Sequence, residues 1–418
     1  MRRLMTVSCS GILVLALLFA TLVPLANAEA EETQETGEAV ETYVDPYGLN
    51  ISAECAILLD ASSGRVLYEK NAEQRHLIAS ITKIMTALVV LEKAEDLDTT
   101  VTIPEDWTGV EGSSMYLEAG DVVSIRGLLY GLILNSGNDA ATVLATTLAG
   151  DEATFVGWMN EYAAKFGMND THFSNPHGLD AEDHYSTAYD MARLMVEAMK
   201  NETFREITHT RHIVIDGFEM YFHNKLLDRY EYCISGKTGY TMAAGRTLVT
   251  ASEKDGQLLV AVTLNAPDDW NDQIAMYEYG FNHYPTTCIC TEGSCFTTVP
   301  LSDTGTAVPV YCMDSLFYLV MDGEQVERTV YLPSEFTESV GKGVIVGRVE
   351  YSVAGESVGT TYLVTGAYAD AQGKEVSSCW KNGFKNSCLL AGLYPDGQPN
   401  GTYRTDGLLS TAFWHNWE

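Results

Sequence analysis

The chain has 418 residues, 46% of them hydrophobic, and a formal net charge of -32 at pH 7. That length and apolar content suit two domains with their own cores and exclude a chain that is disordered throughout. So large an excess of acid repels phosphate backbones and anionic bilayers, which argues against nucleic-acid binding and leaves any membrane association peripheral.

The N-terminus reads as a secretory signal. Arg2 and Arg3 precede an apolar run from Gly11 through Leu25, and Ala26-Asn27-Ala28 supplies a small-residue cleavage site. Residues 1–28 are therefore expected to be removed on export. The competing reading, an uncleaved anchor, is disfavoured by the shortness of the run and by Pro24. No later segment approaches the roughly 20 apolar residues that span a bilayer. Residues 29–50 are polar and acidic, and lack the apolar content to offset the entropy of ordering. They are expected to form a flexible linker.

Folded structure is expected to begin near Ser52, with residues 51–286 forming the first domain. Ala56 to Asp60, a Ser62-Ser63-Gly64 turn and Arg65 to Tyr68 have the pattern of a strand hairpin. From Ala79 to Lys93, Ile81, Ile84, Met85, Leu88 and Leu91 recur at helical spacing and predict a buried helix with Ser80 near its start. Further helices are predicted over Ser124 to Leu134, Asp139 to Leu148, Glu152 to Phe166 and Thr187 to Lys200, with a polar loop from Asn169 to Tyr185. Strands are predicted at His212 to Ile215, Arg246 to Ser252 and Leu258 to Leu264, and a last helix around Asp272 to Phe281. The fold class is α/β (α+β): a mainly antiparallel sheet flanked by helices. Residues 291–367 read as a smaller all-β domain, with strands at Val308 to Tyr311, Leu316 to Met321 and Gly343 to Tyr351. Residues 368–418 read as an irregular tail rich in Gly, Asn, Asp and Pro.

Loss of Cys9 with the signal leaves Cys55, Cys233, Cys288, Cys290, Cys295, Cys312, Cys379 and Cys388, an even set in an oxidising compartment. Disulfides are compatible with that, in no assignable pattern. The spacing of Cys288, Cys290 and Cys295 matches no common zinc pattern, so no metal is expected.

Three short elements carry the chemistry. Ser80-Ile81-Thr82-Lys83 puts a hydroxyl and an amine on one helix face, within mutual reach, as a serine nucleophile with an amine base requires. Alone, such a pair is commonly a helix-surface contact. Ser136-Gly137-Asn138 follows in a loop between helices, and Lys237-Thr238-Gly239 precedes the strand from Arg246. Each is also an ordinary turn sequence, but the three in this order rarely coincide by chance.

With these elements the chain resembles the serine penicillin-binding enzymes and β-lactamases, and most closely the low-molecular-weight D-alanyl-D-alanine carboxypeptidases, whose transpeptidase-like fold is followed by a second, β domain. Ala79 to Ala87, Asn135 to Ala140, Asn175-Pro176-His177-Gly178-Leu179 and Gly236 to Thr241 all carry the likeness. The resemblance implies removal of the terminal D-alanine from peptidoglycan stem peptides ending in D-Ala-D-Ala, outside the cell, without a cofactor and with β-lactams as covalent inhibitors. It makes Ser80 the acylated nucleophile and Lys83 its base. A lysine of ordinary pKa, near 10.4, stays protonated, so Lys83 must be buried beside the Lys237 charge. Ser136 would relay the proton to the leaving group, while Asn138 orients Lys83 or the substrate amide. Lys237, Thr238 and Gly239 would bind the substrate end, with backbone N–H groups near Ser80 and after Gly239 holding the oxyanion.

The chain departs from the family in one place. Many relatives carry a carboxylate-binding arginine near the last helix of the domain, where this sequence reads Pro267-Asp268-Asp269-Trp270-Asn271-Asp272. Arg246 replaces it only if its strand runs beside that of Lys237. His177 is left out of the catalytic set, since Ser-Lys chemistry needs no imidazole. Among rival readings, a β-lactamase lacks its Glu-x-x-Leu-Asn loop here, a transpeptidase differs in acceptor and not in motif, and a silent wall-binding protein would form no penicillin adduct.

Overall fold

The computed structural model describes residues 48–107 and 109–368. The expected signal, most of the acidic linker, and the tail from residue 369 with Cys379 and Cys388 lie outside the described residues.

In chain order, β1 (Cys55–Asp60) and β2 (Val66–Lys70) form a hairpin, followed by a 3-10 turn at Ala79–Thr82 and the helix α1 (Lys83–Lys93). The ribbon of β3 (Thr100–Thr102) and β4 (Val122–Ser124) leads into α2 (Ile125–Leu134), α3 (Asn138–Ala149), α4 (Glu152–Lys165), α5 (Ala188–Ala198) and α6 (Glu202–His209). A second ribbon, β5 (His212–Ile215) with β6 (Phe218–Tyr221), and the short α7 (Leu226–Arg229) precede three long strands. These are β7 (Cys233–Thr241), β8 (Gly245–Lys254) and β9 (Gln257–Leu264), followed by α8 (Asp269–His283).

The central sheet runs in the order β2-β1-β9-β8-β7, with every neighbouring pair antiparallel. The two adjoining strands β1 and β9 read as nearly continuous apolar runs because both faces of the sheet are covered there. Successive side chains of a strand point to opposite faces. Cys55, Ile57 and Leu59 accordingly enter the core that contains helices α1 to α6, while Ala56 and Leu58 enter a second core with Met276 and Tyr277 of α8. In α1 everything from Lys83 to Val90 is buried, so the helix that follows the candidate nucleophile is enclosed by its neighbours and held in place.

Four helix starts, those of α2, α4, α5 and α6, are fixed by side-chain caps. Ser124, Asp151, Thr187 and Asn201 each accept a hydrogen bond from a first-turn backbone N–H, of Gly127, Thr154, Asp190 and Phe204 respectively. The predicted helices stand within a few residues of the expected bounds. Ala79 to Lys93 differs, because its first four residues form the 3-10 turn. Several elements were not foreseen: the β3–β4 ribbon, β6, α6, α7, and the strand character of Cys233–Thr241, whose polar residues read as a turn until they are paired in register with β8.

The remaining strands are β10 (Thr286–Cys290), β11 (Cys295–Pro300), β12 (Ala307–Cys312), β13 (Leu316–Leu319), β14 (Val326–Tyr331), β15 (Ile345–Val353) and β16 (Glu356–Thr365). A sheet in the order β11-β12-β16-β15-β14 encloses its own core of Val308, Val310, Val346, Val349 and Leu363, while β10 pairs with β13. Strand pairing thus begins at Thr286, ahead of the expected start. Arg65, after the first hairpin turn, joins this region to the central sheet. Its guanidinium donates to the Leu319 carbonyl, pairs with Glu324 and lies 5.0 Å from the Tyr284 ring centroid. The six described cysteines are all free thiols.

Asp272 of α8 ties the start of the fold to its end. Its carboxylate accepts from the backbone N–H of Ser52 at 2.8 Å, the Ser52 hydroxyl at 2.7 Å and the buried Ala53 N–H at 3.0 Å. Replacing it leaves buried donors without a partner, so Asp272→Ala should cost about 2 kcal/mol of stability. Denaturant unfolding should show a lower midpoint with an unchanged slope.

Candidate active site

Three chain segments converge at the end of α1. The first is the 3-10 turn, where Ala79 takes a left-handed φ of 50° and turns the chain so that Ser80 faces the cleft. Lys83, the first residue of α1, is fully buried. Its Nζ lies 2.9 Å from Ser80 Oγ, 2.7 Å from Asn138 Oδ1 and 2.5 Å from the His177 carbonyl oxygen.

The second segment is the turn between α2 and α3. Ser136 also has a left-handed φ, 57°, and its neighbours are pinned by Gly137 N–H donating to Gly131 O and Asn138 N–H donating to Ser113 O. Asn138 Nδ2 donates to the Glu111 carbonyl at 2.5 Å, which leaves only its Oδ1 to face Lys83. The buried carboxylate of Asp139 gathers the opposite wall. It accepts from the N–H groups of Met115 and Leu117 and from the Ser114 hydroxyl.

The third segment is β7, at the edge of the central sheet, where Lys237 pairs with Val249 and Gly239 with Thr247. Lys237 is fully buried; its Nζ lies 3.0 Å from Ser136 Oγ and donates to the Thr238 carbonyl at 2.7 Å. A glycine is required at 239. A Cβ there would stand 2.9 Å from the Ser80 nitrogen and 2.4 Å from Thr247 Oγ1, so only glycine lets the strand pack this close to the nucleophile turn.

The electrostatics follow from burying two amines together. Burial, reinforced by the Lys237 charge, drives the Lys83 amine well below the ordinary lysine range, while Asp139 pulls weakly the other way. Burial alone lowers Lys237 to about 7. A neutral Lys83 has two hydrogens and one lone pair. Two of its three partners, the Asn138 and His177 carbonyl oxygens, can only accept, so both hydrogens are committed to them. The lone pair is then left for the Ser80 hydroxyl.

Of the residues expected from the sequence, Ser80, Lys83 and Asn138 are joined through the Lys83 amine, and Ser136 and Lys237 are joined to each other, with Ser136 two residues before Asn138 and the two amines close enough to interact. Thr238 and Gly239 continue along the adjoining strand. Arg246 does lie beside this strand, opposite Tyr240, but its guanidinium is held by the buried Asp269 carboxylate at 2.7 and 2.8 Å. His177 contributes its carbonyl oxygen, while its imidazole accepts from the Leu179 N–H and is pushed down to about 4 by burial and by Lys83. Among the described residues, no group of three or more His, Cys, Asp or Glu stands together as a metal site.

Sequence reasoning missed Asp139, His184, and the close contact at Gly178. A Cβ on Gly178 would stand 2.0 Å from the Ala79 carbonyl oxygen, so the loop packs directly onto the nucleophile turn. The Asn-Pro-His-Gly-Leu stretch was itself a signal, since Asn175 Oδ1 accepts from Gly178 N–H and closes that loop.

The family described as D-alanyl-D-alanine carboxypeptidase, Peptidase S11, matches residues 39–268. D-alanyl-D-alanine carboxypeptidase DacF of Bacillus subtilis is 33% identical over 68% of this chain and 72% of its own length. DacC of Escherichia coli is 34% identical over 74% of this chain and 82% of its own. Among solved structures, penicillin binding protein 5 from Haemophilus influenzae superposes with a TM-score of 0.63 at 28% identity, covering 78% of this chain and 98% of that one.

Because the Lys237 charge opposes protonation of Lys83, Lys237→Met should let Lys83 titrate higher. Nitrogen-detected NMR of the side-chain amines in the wild type and the variant reads this directly. An unmoved Lys83 resonance would show that the two amines do not interact.

Proposed function

The chain belongs to the D-alanyl-D-alanine carboxypeptidase family and is a penicillin-binding serine hydrolase, and we propose that Ser80 is its acylated nucleophile and Lys83 the base that activates it. The observation that carries this assignment is the commitment of both Lys83 hydrogens to carbonyl oxygens, which aims the lone pair at Ser80 Oγ 2.9 Å away.

In this reading the substrate is a peptidoglycan stem peptide ending in D-Ala-D-Ala. Lys237, protonated, and the Thr238 side chain hold the terminal carboxylate, because a cation buried without a carboxylate of its own suits an incoming anion. Ser80 Oγ attacks the penultimate carbonyl as its proton passes to Lys83 Nζ. The backbone N–H groups of Ser80 and of Tyr240, brought near each other by Gly239, stabilise the oxyanion. Ser136 Oγ stands beside Lys237 Nζ; in this reading it relays the proton taken up by Lys83 to the departing D-alanine nitrogen, which leaves Lys83 neutral again. Water, activated by the same Lys83, then cleaves the ester. A β-lactam enters by the same attack, but its amine leaving group stays tethered to the acyl-enzyme.

Arg246 has a smaller part in this reading than the sequence suggested. Both oxygens of Asp269 engage its Nη2 and draw the guanidinium toward α8, so in this reading the substrate carboxylate rests chiefly on Lys237 and Thr238. We place the reaction outside the cytoplasmic membrane, where such peptides occur, with residues 1–28 as the export signal. Among the described residues, no helix is long and apolar enough to cross a membrane.

Intact mass after incubation with penicillin should show one covalent adduct, absent in Ser80→Ala. Wild type should release D-alanine from a pentapeptide without forming crosslinked dimers. No adduct, or an adduct that persists in Ser80→Ala, would overturn the assignment.

The pH dependence has a definite sign. Activity requires neutral Lys83 and charged Lys237, so kcat/KM should rise as Lys83 loses its proton and fall again as pH passes about 7, where free Lys237 loses its own. A bound carboxylate holds the proton on Lys237, so the alkaline limb of kcat should lie at higher pH than that of kcat/KM. Steady-state profiles of D-alanine release check both limbs.

A further inference from the structure

His184 is 1% exposed and lies between the loop after α4 and the nucleophile turn. The Ser174 backbone N–H donates to its Nδ1 at 3.1 Å. A backbone amide offers a hydrogen and no lone pair, so Nδ1 is the acceptor nitrogen and the neutral ring carries its hydrogen on Nε2. Nε2 stands 2.8 Å from Thr82 Oγ1, and the Thr82 hydroxyl donates onward to the Ala79 carbonyl at 2.8 Å. The three bonds run in a single direction, from Ser174 through the imidazole and the Thr82 hydroxyl to Ala79.

The end of that chain is a strained residue. Ala79 has a φ of 50°, a left-handed region that is strained for a residue with a Cβ and persists only where its surroundings enforce it. A threonine hydroxyl by itself can rotate. With the Nε2 hydrogen occupying one lone pair, its own hydrogen is directed to the Ala79 oxygen. Ala79 immediately precedes Ser80, so the rotation of this peptide sets where the Ser80 N–H and Oγ point. Burial, together with the neighbouring His177, lowers the imidazole to about 4, so the ring is neutral where Lys83 works.

We propose that His184 is a positioning residue: through Thr82 it fixes the left-handed Ala79 peptide and so aims Ser80 at the substrate carbonyl. The proposal rests on Ser80 being the nucleophile, and it adds a role for two side chains that do not touch the substrate.

Two replacements separate the two ends of the ring. In His184→Gln an amide N–H can stand where Nε2–H stood and still donate to Thr82. In His184→Asn the short amide can accept from Ser174 but leaves Thr82 without its donor. His184→Asn should lower both kcat and the rate of Ser80 acylation by penicillin about 100-fold with KM little changed, the loss expected from a small misplacement of a reacting group. Thr82→Val should match it. The double variant should be no worse than either single one, because both break the same chain. His184→Gln should recover most of the lost rate.

Equal losses in the Asn and Gln variants, or additive losses in the double variant, would overturn the proposal. So would His184→Asn with wild-type kcat. Imidazole nitrogen NMR of the wild-type protein tests it without any substitution: hydrogen on Nε2 is expected, and hydrogen on Nδ1 would refute the chain. Failure of the wild type to form a penicillin adduct would instead refute the assignment of Ser80, so the two failures are distinguishable.

Discussion

Two lysine side chains share one buried cleft, and much of the architecture around them follows from that arrangement. An isolated ammonium in a protein interior is costly, and two close enough to repel are costlier still. The cost is offset differently for each. Lys83 gives up its proton and satisfies its two hydrogens on carbonyl oxygens of Asn138 and His177. Lys237 bonds to Ser136 and its own strand, and has no carboxylate among its bonded partners to spoil it for an anionic ligand. In the proposed mechanism the asymmetry between the two amines yields one base and one cation from the same residue type.

Such a site requires rigid surroundings, and each of its three segments comes from a different kind of structure. Lys83 is held by a helix enclosed in the main core, Lys237 by a strand paired in register, and Asn138 by the start of a helix whose preceding turn is left-handed at Ser136. Close approach is arranged with missing side chains. Gly239 lets β7 reach the nucleophile turn, and Gly178 lets the loop carrying the His177 carbonyl reach it from another side. Each polar atom of the base thus has its direction set by a neighbour that cannot move far.

The site was legible in the sequence where chemistry is written in short runs. Ser80 and Lys83 are three residues apart, and the Ser136 and Lys237 elements have compositions that few unrelated chains combine. Fold class was legible through apolar periodicity in α1, α2, β8 and β9. What stayed hidden depends on distance in the chain or on polar composition. Thr82 and His184 lie 102 positions apart and belong to no pattern, so their bond exists only in the folded protein. Strand β7 reads Cys-Ile-Ser-Gly-Lys-Thr-Gly-Tyr-Thr, which signals a turn unless its pairing is known. Helix α6 is short and mostly polar, and it is specified by the Asn201 cap and two or three buried residues. Arg246 meets the condition set for it, a strand beside that of Lys237, but the buried carboxylate that engages its guanidinium comes from α8 and could not be read locally.

Arg65 stands at a seam. Its guanidinium engages Leu319 at the end of β13 and Glu324 in the turn before β14, and the Leu319 side chain lies in the same core as Leu58 and Tyr277. Apolar contacts shared in this way cannot be broken on one side only. The β10–β13 ribbon and the layer behind the catalytic sheet are therefore expected to melt as one cooperative unit. Trimming the chain at the ribbon would strip part of the enzyme's own interior, so a truncated form lacking it is expected to be less stable than the domain count alone suggests.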